Sequence, residues 1–492
     1  MDINAKGKCL TLLGISSVQS YVFASNRLRE NAGASYLAWH AMEDWRDKWK
    51  EMGACAFLFA GGGNAVLLFE TEGAAKESIG RWSRDYLERA CGLRLTAAHA
   101  LVDGTLQGAF STAERKMERV ENSPPHGCEF GALPVVRACP STGLAASEFD
   151  RFSNCFSREA AGKRAAIAKA NLRLQSDFAC EGFAFPIELE ELGTREGASQ
   201  IAIVHADGNG VGRMRSAIVH EKKLDDQSFS KALVDFSADV NESASLAFRA
   251  VLHKLRAVLP RLEEEAGIET SLSKDGSRYF PLRPIVYGGD DLTFVCHGRL
   301  GLVLAALYLQ EFAQSGDFTA CAGVLIMPQK FPFARGYALA KELCISAKRK
   351  RKEHGNEGSW MDFHVLLEGA TGSLQKLREF YQAADGRPLM RRPYRLDGWA
   401  NCEKLWREFR NLPRNRAKRL LEVLARGKDD TQAFLANLPE QGKLPDAGDA
   451  AMKTSGWDAD EMTSYFDPLE LLDFHVDSRF FSDEGGRAHV AA

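Results

Sequence analysis

The chain has 492 residues, 45% hydrophobic and 26% charged, an ordinary globular composition that excludes extended disorder and is too long for one hydrophobic core, so three or four units are expected. A formal net charge of −3 excludes a globally basic nucleic-acid coat while leaving local basic faces open. No run approaches transmembrane length, Met1 to Lys6 lack a signal-peptide pattern, and the eleven cysteines form no C-x-x-C pair, so the cytoplasm is the expected location and no disulfide framework or intact zinc ribbon follows from spacing.

Taken in chain order, Cys9 to Gly14 reads as a strand followed by a helix from about Val18, and Phe57 to Phe69 reads as a strand-turn-strand built around Gly61-Gly62-Gly63-Asn64. The next clear strand is Ile201 to Val204, which leads through His205-Ala206 into Asp207-Gly208-Asn209-Gly210-Val211-Gly212. An acid at a strand end followed by a glycine-rich turn is a weak signal alone, because Asp207 could simply be a turn or N-cap residue. Phe229 to Leu259 is the candidate helix that follows. About eighty residues after Asp207 comes Tyr287-Gly288-Gly289-Asp290-Asp291, flanked by the apolar runs Pro284-Ile285-Val286 and Leu292 to Cys296.

That second stretch is the most informative feature of the chain. Gly288 and Gly289 permit the positive φ values of a tight hairpin and let a triphosphate approach the backbone without meeting a Cβ. Adjacent aspartates at a hairpin tip repel each other unless a cation lies between them, and two hard carboxylates suit Mg²⁺ or Mn²⁺. A Gly-Gly-Asp-Asp sequence could also be only a turn, since both residue types are favoured there for backbone reasons. In the ferredoxin-like βαββαβ order, however, the end of the first strand lies beside the hairpin joining the second and third. Asp207 then faces Asp290 and Asp291, the carboxylate cluster that two-metal nucleotidyl transfer uses. The N-terminal third repeats this outline without its acids: Gly63 and Asn64 fall where Asp290 and Asp291 stand, and Ser16 falls near the place of Asp207. The alternative is two unrelated glycine-rich hairpins.

Further on, a helix after the strand Ala320 to Ile326 carries Lys341 and Lys348, the latter opening the run Lys348-Arg349-Lys350-Arg351-Lys352. Such runs are ordinarily solvated faces. Beyond residue 372, Ser373 to Ala384, Cys402 to Asn411, Asn415 to Arg426 and Thr431 to Leu438 show helical spacing. Arg391-Arg392-Pro393-Tyr394-Arg395, and the face of Arg407, Arg410, Arg414, Arg416, Lys418 and Arg419 with Trp406 and Phe409 interleaved, could contact an RNA backbone or be plain surface. Residues 439 to 456 read as a mobile loop.

The chain resembles the large polymerase-cyclase subunit of type III CRISPR effector complexes, a family with paired palm domains. The resemblance rests on Ala206 to Gly212, on Gly288 to Asp291, on Gly14-Ile15-Ser16-Ser17-Val18-Gln19-Ser20-Tyr21 with Gly33 to Leu37, and on Ala347-Lys348 with Trp360 to His364. It implies an α+β fold with two ferredoxin-like, nucleotide-cyclase-like palms: a degenerate palm over 1–125, a helical linker over 126–195, a catalytic palm over 196–370 and a helical domain over 371–492. It implies that Asp207, Asp290 and Asp291 are catalytic and hold Mg²⁺ or Mn²⁺, with the Gly208 carbonyl as a further ligand. Gly208, Asn209, Gly210, Gly288, Gly289, Lys341 and Lys348 would bind the nucleotide, with Lys348 on the triphosphate. The implied activity is synthesis of cyclic oligonucleotide messengers, cyclic oligoadenylate above all, from ATP, with guide RNA and other effector subunits as partners and target RNA as activator.

Two departures qualify the resemblance. No histidine is followed directly by aspartate, so the HD nuclease domain that many members carry is expected to be missing. Cys128 and Cys139 stand singly where a zinc ribbon needs pairs, which reads as a decayed ribbon or a loop. A free-standing defence cyclase making another cyclic nucleotide, and a non-catalytic scaffold that binds RNA and partner subunits, stay open as alternatives.

Overall fold

The computed structural model describes residues 5–42, 46–61, 63–123, 135–150, 154–178, 182–193, 200–273, 276–316, 318–367, 372–438 and 444–482. Two sheets organise it. The first places Ala54–Gly61, Asn64–Phe69, Cys9–Ser16 and Arg94–Leu101 side by side, antiparallel throughout. The second places Leu282–Gly288, Asp291–His297, Gln200–Gly208 and Ala320–Pro328 in the same antiparallel order, and extends it with Trp360–Val365, parallel to its neighbour, and the short Tyr394–Arg395. Each four-strand unit is a βαββαβ fold with the ferredoxin-like order. The helices Leu28–Met42 and Glu72–Arg89 serve the first, and Asp226–Ala266 and Gly301–Gln314 serve the second.

The second sheet is covered on both faces, which is why its central strand is apolar but for His205: Ile201 through Ala206 are all buried. One face packs against Asp226–Ala266 and Gly301–Gln314 through Phe248, Val251, Leu255, Leu304 and Phe312. The other receives residues of the N-terminal third, with Tyr21, Val22, Phe23 and Leu28 clustering with Ile203, Val295, Tyr337 and Leu343. A further cluster joins Leu10, Val66 and Phe110 of the first unit to Ile218, Phe229 and Leu233. The two sheets are thus tied together by shared cores.

The long helix begins at an Asp225 N-cap, whose carboxylate accepts from Ser228 N, and ends at Gly267 in the left-handed region. It therefore exceeds the Phe229 to Leu259 span expected from sequence. Pro260 ordinarily ends a helix because it lacks an N–H. Here Leu255, Leu259 and Leu262 are all buried, and that packing carries the helix past the proline to Ala266.

Register corrects one expected correspondence. Asn64 lies opposite Gly61 and Gly14, just as Asp291 lies opposite Gly288 and Asp207. Gly14, not Ser16, therefore stands in the place of Asp207. Ser16 lies two residues further along and donates to Glu121 at 3.3 Å.

Two readings of the C-terminal region also change. Helices form over Leu374–Arg378, Leu396–Arg410, Arg414–Arg426 and Lys428–Ala436, so the first is shorter and the second longer than the spacing predicts. Trp406 and Phe409 are fully buried rather than interleaved with arginines at the surface. Arg392 is buried between Asp467 and Glu470 and Arg391 pairs with Asp458, so these two are engaged within the fold, whereas Arg414 pairs with Asp473 at the surface. Of the stretch 439–456 expected as a mobile loop, residues 439–443 lie outside the described residues, Ala450–Ser455 is helical, and Leu444 and Met452 belong to the core.

Cys128 lies outside the described residues. Cys139 is buried, and although burial raises its thiol, hydrogen bonds from Ser157, Thr142 and Ser141 leave it below the ordinary value. The hydroxyls of Thr142 and Ser157 are 2.9 Å apart, so this knuckle is closed by hydrogen bonds. No helix among the described residues is long and apolar enough to cross a membrane.

Candidate functional site

Strand pairing brings the three aspartates together. Asp207, at the end of the central strand, is the direct partner of Asp291 across the sheet, and Gly208 N donates to the Asp290 carbonyl at 3.1 Å. Close approach explains the glycine: a Cβ on Gly208 would lie 2.6 Å from the Asp290 Cβ and 2.8 Å from Val211 Cγ2. Gly288 (φ +155°) and Gly289 (φ +64°) make the hairpin turn. Gly289 N is held by Asn241 Oδ1 of the long helix at 2.5 Å, a contact that sequence reasoning missed because Asn241 sits in an ordinary helical pattern.

Burial and mutual repulsion set the charge state. Burial first, then the Asp207 carboxylate, pushes Asp290 up to about 6. Burial likewise raises Asp291, partly offset by His205 and by the Gln19 hydrogen bond. Lys348 supplies the compensating charge, with Nζ 2.8 Å from Asp207 Oδ2 and 3.1 Å from the Gly208 carbonyl oxygen. Lys341, about two turns earlier on the helix Phe333–Glu353, donates to Gln19 Oε1 at 2.6 Å.

Gln19 comes from the N-terminal third, and its Nε2 donates to Asp291 Oδ2 at 3.1 Å. Asp291 Oδ1 is buried, has no hydrogen-bond partner, and lies 3.4 Å from His205 Nδ1, which itself bonds Thr293 Oγ1 at 2.9 Å. His205 is buried, and burial lowers its basicity. Asn209 is not drawn into this group. Its backbone N–H and side chain both bond Thr319, at 2.7 and 3.0 Å, so it fastens the turn to the neighbouring strand. Gly210 takes φ +76° and starts the short helix Val211–Ser216.

Among the described residues, no three or more His, Cys, Asp or Glu side chains are gathered tightly enough to hold a metal ion. Lys348 engages Asp207, and Gln19 engages Asp291. The chemistry of the donors nonetheless fits a hard divalent cation: three crowded carboxylates, a strand-end carbonyl already facing an ammonium, and a buried carboxylate oxygen without a partner. Beside Asp290 opens a cleft of about 240 Å³, lined by Phe59 and Asn64 of the first sheet's hairpin and by Phe236, Val240 and Asn241 of the long helix. Its walls are partly aromatic and partly polar.

No protein-family model matches the sequence, and no curated protein matches it. Solved structures do. The Csm1-Csm4 cassette in complex with AMPPNP superposes with a TM-score of 0.54 at 12% identity, covering 97% of this chain and 70% of that one. The same cassette in complex with cA4 gives 0.53 at 12% identity, over 95% and 70%. The Csm1-Csm4 subcomplex in the type III-A CRISPR-Csm interference complex gives 0.52 at 14% identity, over 96% and 70%. The chain therefore has the fold of Csm1.

Proposed function

We propose that this chain is the large subunit of a type III CRISPR effector, and that it joins ATP into a cyclic oligoadenylate at the Asp207, Asp290 and Asp291 cluster. The observation that carries the reading is the pairing of Asp207 with the Gly-Gly-Asp-Asp hairpin under Lys348, on a fold whose solved examples include complexes with AMPPNP and with cA4. In this reading the paired palms span 1–125 and 196–370, with 126–195 as linker and 371–492 as the helical unit. Other effector subunits, guide RNA and an activating target RNA are the corresponding partners.

The reaction attaches the 3′-oxygen of one nucleotide to the α-phosphate of the next and expels pyrophosphate; the hydroxyl proton passes to solvent, and closure repeats the step within one chain. Mg²⁺ or Mn²⁺, held by Asp207, Asp290, Asp291 and the Gly208 carbonyl, would supply charge neutralisation at the attacking and leaving oxygens. The chain's own residues do the positioning. Gly288 and Gly289 leave the hairpin backbone open to phosphate, the cleft of Phe59, Phe236 and Val240 takes a base, and Lys348 and Lys341 bring positive charge to the departing pyrophosphate. Since Lys348 now pairs with Asp207, nucleotide binding exchanges that partner for a phosphate oxygen.

The test is incubation of the purified chain with each labelled NTP and Mg²⁺ or Mn²⁺, with and without co-purifying RNA and target RNA, followed by mass spectrometry. A cyclic oligoadenylate that disappears in the Asp290→Ala, Asp291→Ala double variant is the expected result. A cyclic product of another base, independent of RNA, would favour a free-standing cyclase. No product from a folded, nucleotide-accessible chain would favour a scaffold.

A further inference from the structure

We infer that Gln19 is a positioning residue for the metal-binding carboxylates, and that it works by standing between Asp291 and Lys341; the inference rests on the metal-site reading above. Both ends of its amide are used. Nε2 donates to Asp291 Oδ2 at 3.1 Å, and Oε1 accepts from Lys341 Nζ at 2.6 Å. The reverse orientation would set a carbonyl oxygen against a carboxylate and an NH₂ group against an ammonium, so the neighbours fix the amide.

The backbone presents Gln19 rigidly. Ser17, immediately before the helix Val18–Val22, adopts φ +58° and ψ +41°, a left-handed conformation that a non-glycine residue seldom takes. This sharp turn starts the helix that carries Gln19 toward the other sheet. Two contacts then pin it: the buried Lys163 donates to the Tyr21 carbonyl at 2.7 Å, and the Phe23 ring stacks on Tyr337 with centroids 3.5 Å apart. Tyr337 lies on the same helix as Lys341 and Lys348. The distance between Gln19 and Lys341 is therefore governed by aromatic packing as well as by the hydrogen bond.

A neutral spacer at this point has a specific effect. Asp291 is partly buried, and an ammonium nearby is strongly drawn to it. Without the amide, Lys341 would close onto Asp291 and consume the negative charge that a divalent cation needs. With it, Lys341 is held by a carbonyl oxygen, and Asp291 Oδ1 keeps no hydrogen-bond partner. Residues that orient metal ligands in this way are typically worth 10–100-fold in metal affinity.

The experiment is Mn²⁺ titration of the intact, nucleotide-free chain, read from the EPR signal of free Mn²⁺. Gln19→Ala is expected to weaken binding by about tenfold, and by less than about twofold when made in a Lys341→Gln background, because the competing ammonium is gone. Gln19→Glu, of equal size, still holds Lys341 and adds a carboxylate beside the site, so it should bind Mn²⁺ at least as tightly as the unaltered chain; it also guards against an Ala variant that fails to fold. The inference is overturned if Gln19→Ala binds Mn²⁺ like the unaltered chain, if Gln19→Glu loses as much affinity as a folded Gln19→Ala is expected to lose, or if the Lys341→Gln background leaves the Gln19→Ala loss undiminished. The Asp290→Ala, Asp291→Ala variant separates the two levels. Mn²⁺ binding that survives it, or that is absent from the unaltered chain, removes the metal-site reading itself, and the Gln19 inference with it.

Discussion

Lys348 and Asp290 show two ways in which charge is relieved where carboxylates crowd. Lys348 neutralises Asp207, while Asp290 has no such direct partner and is pushed up to about 6, by burial first and by Asp207 second. Folding therefore favours protonated Asp290: the stability present below the ordinary carboxylate pKa is lost as pH rises through about 6. Asp290→Asn should consequently stabilise the cation-free chain at pH 8 by about 1–2 kcal/mol, after allowance for partial exposure, and by little at pH 4. Urea denaturation at the two pH values measures this, and an equal gain at both would rule out the electrostatic cause. The meeting of Asp207 with the Asp290-Asp291 hairpin was legible in the sequence only because both strand ends stand in the ferredoxin-like order, since a Gly-Gly-Asp-Asp turn alone is also favoured for backbone reasons. Gln19 and Asn241 were not legible as contributors, because each acts only through a contact that the tertiary fold creates.

Among the elements, the hairpin and the strand ending at Asp207 followed the sequence closely, since apolar runs bounded by glycine and aspartate define both ends. Their contact at Gly208 is the point of least tolerance. Gly208→Ala would force the Asp290 backbone away from the central strand, because a Cβ there comes within 2.6 Å of the Asp290 Cβ. The expected cost is about 1–3 kcal/mol of stability, together with a loss of AMPPNP affinity of tenfold or more by calorimetry. Wild-type affinity in a folded Gly208→Ala protein would mean that the hairpin tip and the nucleotide site are separate. Elsewhere, local pattern was a poorer guide. The first sheet's register differs by two residues from that inferred by matching turns, since Gly14 rather than Ser16 meets Asn64. The long helix outruns Pro260 because burial outweighs a missing N–H, and Trp406 and Phe409, expected to interleave with the basic face, lie in the core while Arg410, Arg414, Lys418 and Arg419 stay exposed.

At the scale of the whole molecule, the sequence indicated paired folds of one order but gave no sign of how they meet, because an interface between units leaves no periodicity of its own. Phe23 is central to that meeting. It is buried, stacked on Tyr337, and within 6.4 Å of the Phe333 ring centroid. Phe23→Ala should cost about 3–4 kcal/mol locally, seen as amide exchange of residues 18–23 faster by a factor of about ten or more while the strands of both sheets keep their protection. Unchanged exchange would show that other contacts, such as that of Lys163 with Tyr21, carry the junction.

The two sheets share one strand order, yet the first has Gly14, Gly63 and Asn64 where the second has Asp207, Asp290 and Asp291. Under the proposed chemistry this inequality supplies polarity. Two equally acidic faces could not distinguish the nucleotide that gives its hydroxyl from the one that gives up pyrophosphate, whereas a single acidic face beside a neutral one makes the growing chain read in one direction, with every new bond formed at the same address.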